Sequence, residues 1–502
     1  MYRYKIDSSF EKIPLEINIV KAPLNDKGFA DLLSINLEYT YKLNRAKNRI
    51  NDYSSTVWEE VKKHTNPYEF IYAFNTKHRG NDYRSVSLYK PLSRSFFKMI
   101  EIIHEFCPHI AVAGFDKGAL AEGVEGFDKG ARESSCQRDE PSRGDEGLVA
   151  EALVAGFEKS RAQSNDAAFN KGARGAEALV LISVHIAEGP GGFIEAVRFV
   201  RKGKDDDHAF GMTLIDNKYN YIKGARESSV QRAEPSRGAS ALVPGWKQSN
   251  YFLLNNPEVH IIYGADGTGD IYNPENILFL HNEMRKVCGE DIVEDKVENN
   301  TTDSSGAQLI TADGGFDFSV DYNYQEQSSC KLIFSQILGA IKCQRKGGTF
   351  VCKFFDINLF FTTEMLYLLY SLYETVYIYK PFTSRIANSE KYIICTNFQK
   401  IEPKLCESLF NVLNQWNEYT NITKETINHM FKTIPLTFVN RIKEINNEIV
   451  DAQINSINTA INIIKKQKYI TNSNIYSSEM TVEKQIKYAK DWCKNYNIPY
   501  KH

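Results

Sequence analysis

Three apolar segments, each joined to one ionisable residue, constrain the fold of this 502-residue chain more than any other feature. The segment AQLITA leads into Asp313, the segment TFVC leads into Lys353, and Glu390 lies just before KYIICTNF. Short apolar runs bounded by turn residues predict buried strands. In open α/β sheets, ligand-binding and reactive residues lie at strand ends. The pattern therefore predicts an α/β fold with a site at one edge of the sheet.

A fourth apolar run, Ala178 to Ile186, enters a glycine-rich turn and then a predicted helix that starts at Phe193. A strand, a glycine turn and a helix in this order are typical of a nucleotide-type site. The turn, Glu188-Gly189-Pro190-Gly191-Gly192, lets the backbone approach a ligand because glycine has no side chain and accepts positive φ. Taken alone, such a turn is equally compatible with a structural bend.

Two further strand-like runs end near Asp216 and at Asp270. A carboxylate at a strand end is well placed to hold a ligand. An aspartate beside glycine is more often part of a turn, so the residues alone leave both interpretations of Asp270 open.

The overall charge neither supports nor excludes a nucleic acid partner. The formal net charge is −2 and the pI is about 6.6, so any contact with phosphate must come from a local basic patch. One candidate patch is interleaved with aromatic residues, and it predicts either an RNA groove or a solvated face. It consists of Lys77, Arg79, Arg84, Lys90 and Arg94.

The nine cysteines are scattered without any Cys-x-x-Cys pair, which favours reduced thiols in a cytosol-like compartment over zinc ligands or disulfides. The first residues lack a basic and then apolar signal, and the most apolar stretch, Phe360 to Tyr373, is short and interrupted by Glu364. We therefore expect a soluble, cytoplasmic protein that is not secreted and has no membrane partner and no structural metal.

Two blocks differ from the rest of the chain by their Ala, Gly, Arg and Ser content, at about 111–179 and 223–248. KGARESSCQRDEPSRG from Lys129 recurs as KGARESSVQRAEPSRG from Lys223. The encoded peptide resembles palindromic-element insertions within open reading frames. A solenoid is the alternative, but it would need a regular period and an apolar core. We expect surface insertions, because exposed loops tolerate added length.

Two regions have helical periodicity. Pro91 to Phe106 predicts a helix that carries Lys98, with Ser93 or Ser95 as its cap. From Ile401 onward the apolar spacing predicts a C-terminal helical extension.

Four motifs together resemble the FtsJ-like (RrmJ-type) RNA 2′-O-methyltransferases, in particular the mRNA cap ribose methyltransferases of eukaryotes and large DNA viruses. They are SRSFFKMIEI around Lys98, TADGGFDF around Asp313, GGTFVCKFFD around Lys353 and SRIANSEKY around Glu390. The resemblance implies a Rossmann-like methyltransferase fold with a mostly parallel seven-stranded sheet. It divides the chain into an N-terminal extension (1–84), an FtsJ-like domain (85–400) interrupted by the two blocks, and the helical extension (401–502).

The resemblance also implies S-adenosylmethionine as cofactor. Asp270 would accept a hydrogen bond from the adenine amino group, and Asp216 would bind the ribose. The family usually has an acidic residue where His185 stands, and Glu188 is expected to take over its role. The full implied cofactor set is Glu188, Gly189, Gly191, Gly192, Phe193, Asp216, Asp270 and Asp313.

The implied catalytic set is Lys98, Asp313, Lys353 and Glu390. A ribose 2′-OH is a poor nucleophile, and a lysine whose pKa is lowered by desolvation and by nearby positive charge can accept or steer its proton. We assign that role to Lys353, with the two carboxylates holding the lysines in place. Singly, a lysine after an apolar strand, such as Lys353, is more simply a solvated strand end, and the Asn-Ser-Glu loop is more simply a turn. Only the four motifs in order favour catalysis.

The function that the resemblance implies is methylation of the 2′-OH of the first transcribed nucleotide of capped mRNA. One alternative keeps the chemistry and changes the substrate to ribosomal or other RNA. Another is a non-catalytic RNA-binding scaffold subunit of a capping complex. The expected partners are capped mRNA and other capping or transcription proteins. The resemblance to the enzymes of large DNA viruses adds a viral factory or a virion as an alternative to the cytoplasmic location.

Overall fold

The computed structural model describes residues 2–6, 9–23, 34–72, 76–78, 81–83, 85–111, 180–215, 230–231, 246, 249–289, 305–316, 322–422, 425–469 and 482–501. Most of the two repeat-like blocks therefore lies outside the described residues.

The strands within these ranges are β1 (Arg3–Ile6), β2 (Ile17–Pro23), β3 (Thr76–His78), β4 (Asn81–Tyr83), β5 (Ile182–Ile186), β6 (His208–Met212), β7 (Val230–Gln231), β8 (Val259–Ile262), β9 (Ala307–Ala312), β10 (Gln344–Phe354), β11 (Tyr373–Tyr379), β12 (Lys391–Phe398) and β13 (Glu425–Phe431). The helices are α1 (Leu37–Asn48), α2 (Ser55–Thr65), α3 (Ser95–Phe106), α4 (Gly192–Val200), α5 (Asn250–Leu254), α6 (Pro274–Val287), α7 (Gln325–Cys343), α8 (Phe360–Leu372), α9 (Pro403–Ile422), α10 (Leu436–Tyr469) and α11 (Val482–Asn495).

Nine of the described strands form one sheet in the order β1-β11-β12-β10-β9-β5-β6-β8-β7. The strands β5, β6, β8, β9 and β10 are mutually parallel. β12 runs antiparallel to both β10 and β11, so β11 points the same way as the parallel set. Six of the seven central strands thus share one direction, which confirms the Rossmann-like methyltransferase sheet. The edge strands β1 and β7 add to it and run antiparallel to their neighbours.

Apolar clusters cover both faces of this sheet. Because side chains alternate along a strand, Phe350 and Cys352 belong to one cluster and Val351 belongs to another. Helix α7 packs against β9 and β10 on the first face, whereas α3 packs on α4 within the second cluster. The central strands are therefore buried on both sides, as parallel strands usually are.

The sheet order brings the predicted site residues together at one crevice. The chain continues from β5 to β6 on one side, whereas β9 lies on the other side of β5. The loops that follow β5 and β9 therefore run in opposite directions and leave room for a ligand between them. Glu188 follows β5, Asp313 follows β9, and Lys353 is the penultimate residue of β10. The carboxyl ends of these strands bring the three side chains together.

The start and the end of the chain pack on each other. β2 pairs with β13 in an antiparallel two-stranded sheet, and α10 packs on α1 and α2. The region predicted to be helical from Ile401 thus contains one strand as well as three helices in its described part. The domain boundaries near residues 84 and 400 stay a prediction.

Two local predictions differ from the structure. Helix α3 begins after Arg94 without a side-chain cap, so capping by Ser93 or Ser95 is wrong; their hydroxyl groups bond to each other at 2.5 Å instead. Trp246, inside the second predicted insertion, is buried against the turn after β5. No helix among the described residues is long and apolar enough to cross a bilayer.

Candidate active site

A cavity of about 830 Å³ opens at the carboxyl ends of β5, β6, β9 and β10. Its wall includes the turn after β5, the loop before α6, the ends of β9 and β10, and the loop before β12. Residues of α1 and α2 complete it, including Lys47, Trp58, Glu59 and Lys62. The space is large enough for a nucleotide-sized ligand together with part of a second molecule.

Asp313 and Lys353 form the centre of this wall. Lys353 Nζ lies 3.2 Å from Asp313 Oδ1 and donates to the Asp313 carbonyl oxygen at 2.6 Å. The Tyr392 hydroxyl donates to the same Oδ1 at 3.0 Å. The strand pairing places the two backbones side by side. The hydrogen bonds then fix the Asp313 carboxylate and the Lys353 ammonium group relative to each other.

Glu390 and Lys98 form a second ion pair. Lys98 Nζ, from the first turn of α3, lies 2.7 Å from Glu390 Oε1, and the Ser384 hydroxyl donates to that oxygen at 3.0 Å. Glu390 lines the cavity. Lys98 is not a lining residue and lies behind Glu390, with which it pairs. We call Lys98, Asp313, Lys353 and Glu390, the four residues predicted to be catalytic, the catalytic cluster.

The charges of the cluster set its protonation. Burial alone would lower the pKa of Lys353, but the Asp313 and Glu390 carboxylates outweigh it and raise that pKa above its ordinary value. The sequence-based expectation of a lowered Lys353 pKa is therefore wrong for the cluster on its own. Burial opposes ionisation of Glu390, yet Lys98 and Lys353 lower its pKa to about 2.

The turn after β5 requires glycine at two positions. Gly191 has a φ of +102°, and a Cβ there would lie 3.0 Å from the Trp246 ring. Gly192 begins α4, and a Cβ there would collide with the hydroxyl groups of Ser93 and Ser95. Gly189 and Pro190, joined by a cis peptide bond, line the cavity. This part of the turn thus lines the cavity, whereas Gly191 and Gly192 are not among its lining residues; cofactor binding by the turn stays a prediction.

Glu188 carries an acceptor that no protein donor satisfies. Its Oε1 accepts the Phe193 amide at 2.7 Å, whereas its buried Oε2 has no hydrogen-bond partner among the described residues. Burial, and then the charge of Asp313, raise the pKa of Glu188. Two carboxyl groups on one cavity wall, one of them half satisfied, fit a cationic ligand such as the sulfonium and ammonium groups of S-adenosylmethionine.

His185 lies away from the cavity. Its ring nitrogens bond to Thr311 and Ser183 at 2.7 and 3.0 Å, and burial lowers its pKa to about 3. The neutral ring fills the core between β5 and β9, while Glu188 provides the acidic group on the wall.

The loop before α6 contributes Asp270 to the cavity wall. Asp270 Oδ1 also accepts the Tyr272 amide at 2.9 Å, so this residue serves the turn as well. Gly269 packs on the Thr213 carbonyl so closely that a Cβ would overlap it. Asp216, the predicted ribose ligand, lies outside the described residues, and Phe193 is buried rather than on the cavity wall.

The predicted basic patch is only partly described. Arg94 lines the cavity and is tied to Glu69 at 3.2 Å and to the Tyr72 carbonyl at 2.8 Å, while Lys90 is exposed. The side chains of Lys77, Arg79 and Arg84 lie outside the described residues. Within the described part of the chain, no His, Cys, Asp and Glu group has the arrangement of a metal site.

Sequence reasoning missed several residues that support the site. Tyr392 bonds Asp313, Trp246 packs under Gly191, and Lys380 and Lys391 hold the loop that carries Glu390. Lys391 and Tyr392 are the last two residues of the SRIANSEKY motif but were not assigned a role, and Lys380 lies four residues before that motif. Trp246 is an isolated aromatic residue in a block of small and polar residues.

Residues 162–398 match the family model described as FtsJ-like methyltransferase. The matched range contains Asp313, Lys353 and Glu390, and it begins after Lys98.

Several curated proteins are similar to this chain. "Cap-specific mRNA (nucleoside-2'-O-)-methyltransferase 1" of Mus musculus is 29% identical over 322 residues, which is 64% of this chain and 33% of that protein. The human protein of the same name is 29% identical over 325 residues, also 64% of this chain and 33% of that protein. The Trypanosoma brucei protein of this name is 40% identical over 137 residues, 27% of this chain and 32% of that protein. The chain thus spans about a third of the length of these relatives.

A solved structure described as a putative ribosomal RNA methyltransferase from Plasmodium falciparum aligns with 51% of this chain and all of that chain. The identity is 15% and the TM-score is 0.27, which is too low to bear on the fold.

Proposed function

Because the chain contains an FtsJ-like methyltransferase domain, we propose that it methylates the ribose 2′-OH of the first transcribed nucleotide of capped mRNA, with S-adenosylmethionine as the methyl donor. The substrate follows from the names of the similar proteins, which are cap-specific mRNA methyltransferases. A cytoplasmic location, inferred from the cysteine pattern, belongs to the same proposal.

One observation carries the proposal: the four residues of the catalytic cluster, which come from four separate segments of the chain, meet as two ion pairs at one cavity. The side chains of all four are less than one-fifth exposed. Buried ion pairs are expensive to maintain for stability alone, so their concentration at a cavity favours a role in chemistry. A scaffold would have no use for them.

The cofactor would lie against the turn after β5 and the loop before α6. Glu188 and Asp313 would face its positive charge, and Asp270 would face the adenine edge. When bound, S-adenosylmethionine supplies an electrophilic methyl group on a sulfonium.

Lys353 would act on the ribose hydroxyl. Held as an ammonium by Asp313 and Glu390, it would donate a hydrogen bond to the 2′ oxygen and stabilise the negative charge that develops there while the hydroxyl proton passes to water. The 2′ oxygen would take the methyl group as the methyl–sulfur bond breaks and a neutral thioether leaves. Lys98 keeps Glu390 ionised, so Lys353 stays between two carboxylates. The cluster thus orients the hydroxyl for in-line attack on the methyl group.

The test is transfer of labelled methyl from S-adenosylmethionine to a short capped RNA and to the same RNA without the cap, with wild type and Lys353→Ala. We expect cap-dependent transfer that the substitution abolishes. Equal transfer to both RNAs would move the assignment to another RNA. RNA binding without transfer would favour the scaffold function.

A further inference from the structure

Two lysines outside the catalytic cluster close the base of the loop that carries Glu390. Lys380 directly follows β11, and Lys391 begins β12; the adjacent residues Tyr379 and Tyr392 pair across these antiparallel strands. Lys380 is 1% exposed and Lys391 is 0% exposed. Burial of an ammonium group costs free energy unless hydrogen bonds compensate for lost water, so two of them at one loop call for an explanation.

Both lysines donate to the backbone of this loop. Lys380 Nζ donates to the carbonyl oxygens of Asn388 and Glu390, at 2.7 and 2.5 Å. Lys391 Nζ donates to the carbonyl oxygen of Ser389 at 2.8 Å and to that of Phe355. Three consecutive carbonyl groups are thereby held by two buried amines. The backbone that delivers Glu390 has little freedom to move.

The two lysines face different charges. The carboxylate that acts most strongly on Lys380 is Glu390, whereas Lys391 faces Asp356 and Glu326. Burial lowers the pKa of Lys380 to about 7 and that of Lys391 to about 8. In its protonated form, Lys380 is thus the third cation around the Glu390 carboxylate, after Lys98 and Lys353.

We propose that Lys380 is a positioning residue for methyl transfer, which holds the Glu390 carboxylate where it pairs with Lys98 and faces Lys353. It acts through two backbone carbonyl groups and through its charge, and it does not line the cavity itself. The inference rests on the proposed function, because it concerns the cluster assigned to that reaction. A purely structural role would make Lys380 and Lys391 equivalent.

The test compares Lys380→Met with Lys391→Met. Each substitution removes one buried amine and two bonds to carbonyl groups, so we expect similar losses in thermal midpoint. Lys380→Met should lower kcat at least tenfold, since a displacement of about 1 Å can cost about 100-fold in rate. KM for capped RNA and Kd for S-adenosylmethionine should stay within about threefold. Lys391→Met, which removes the bond to the Ser389 carbonyl and leaves the bond to the Glu390 carbonyl in place, should lower kcat several-fold less than Lys380→Met does.

Equal losses of kcat in the two variants, or an effect of Lys380→Met on KM alone, would overturn the positioning role. Wild type without methyl transfer to capped RNA would overturn the proposed function and this inference together. An active wild type with a fully active Lys380→Met would overturn this inference only. If Lys380→Met does not fold, Lys380→Gln, which retains a neutral donor, replaces it under the same criteria.

Discussion

The catalytic cluster and the turn after β5 share one cavity but satisfy their polar groups in opposite ways. In the cluster, each carboxylate is paired with a lysine and bonded to a hydroxyl group. In the turn, Glu188 keeps a buried oxygen without a protein donor among the described residues, and the backbone is bent around Gly191 at positive φ. One part of the wall has its charges balanced within the protein, and the other part offers an unbalanced acidic group.

The contrast indicates that the catalytic cluster is preorganised for a reaction, whereas the turn after β5 is suited to binding a ligand. Charges that already have partners need no rearrangement when a reaction creates new charge beside them. A half-satisfied carboxyl group gains free energy when a cation binds, so that part of the wall favours cofactor affinity instead. Substitutions in the two parts should therefore affect different measured constants.

The largest effect is expected from Lys353→Ala. Loss of the ammonium group between Asp313 and Glu390 should lower kcat about 10³-fold, in the range for groups that act on a reacting proton or charge. Kd for S-adenosylmethionine should change less than about threefold. Single-turnover methyl transfer and calorimetric titration give the two constants. If Kd for S-adenosylmethionine rose by as large a factor as kcat fell, the catalytic cluster and the turn after β5 would not differ in function.

Glu390→Gln should change the acid stability of the protein. Although burial opposes it, Lys98 and Lys353 lower the Glu390 pKa from 4.5 to about 2. The ionised form therefore stabilises the fold above about pH 4.5, and this contribution, about 3 kcal/mol, is lost as the pH falls towards 2. Urea unfolding between pH 6 and pH 3 should show a smaller loss for Glu390→Gln than for wild type. If the free energy of unfolding fell equally with pH in wild type and in Glu390→Gln, the ion pair would be absent in solution.

Glu188→Gln should weaken S-adenosylmethionine binding by about tenfold, as expected for loss of a charged hydrogen-bond partner, while kcat at saturation stays within about threefold. Burial and the Asp313 charge raise the Glu188 pKa, so this group stabilises the fold at low pH and the contribution is lost as the pH rises. The free energy of unfolding of Glu188→Gln should therefore fall less between pH 5 and pH 8. Unchanged cofactor affinity would contradict the assigned role.

The smallest effect is expected from Gly191→Ala. A side chain at a φ of +102° costs about 1 kcal/mol, and the new Cβ would press on Trp246. Kd for the cofactor should rise about threefold to tenfold, with kcat at saturation unchanged. Gly289→Ala is the matched control, since Gly289 also has positive φ (+72°) and a Cβ there would meet no described atom within 4 Å. Equal effects on Kd would show that backbone strain alone is measured.

The strands and their terminal charged residues were predictable because each depends on a short stretch of sequence. Asp313 and Lys353 stand at the ends of adjacent parallel strands, and this topology alone places them side by side. The glycines of the turn were predictable for the same local reason. Glu390 and Lys98 needed the resemblance to a family, because nothing in their own segments indicates that a loop and a helix 292 positions apart in sequence come into contact.

The remaining features depend on contacts that are remote in sequence. The direction of the Lys353 pKa shift follows from two carboxylates whose distances only the fold defines. Lys380 and Lys391 look like ordinary surface lysines in sequence, and only the pairing of β11 with β12 buries them. β1 and β13 escaped prediction because their partners lie hundreds of residues away.

The hydrogen bond from Trp492 to Glu101 has a consequence for biosynthesis. It joins α11 to the helix that carries Lys98, at a distance of 3.0 Å and across 391 residues of chain. A growing chain emerges from the ribosome at about 5–20 residues per second, so α3 waits on the order of 20 to 80 seconds for this partner. The helix that carries Lys98 therefore completes its packing only after Trp492 has been synthesised.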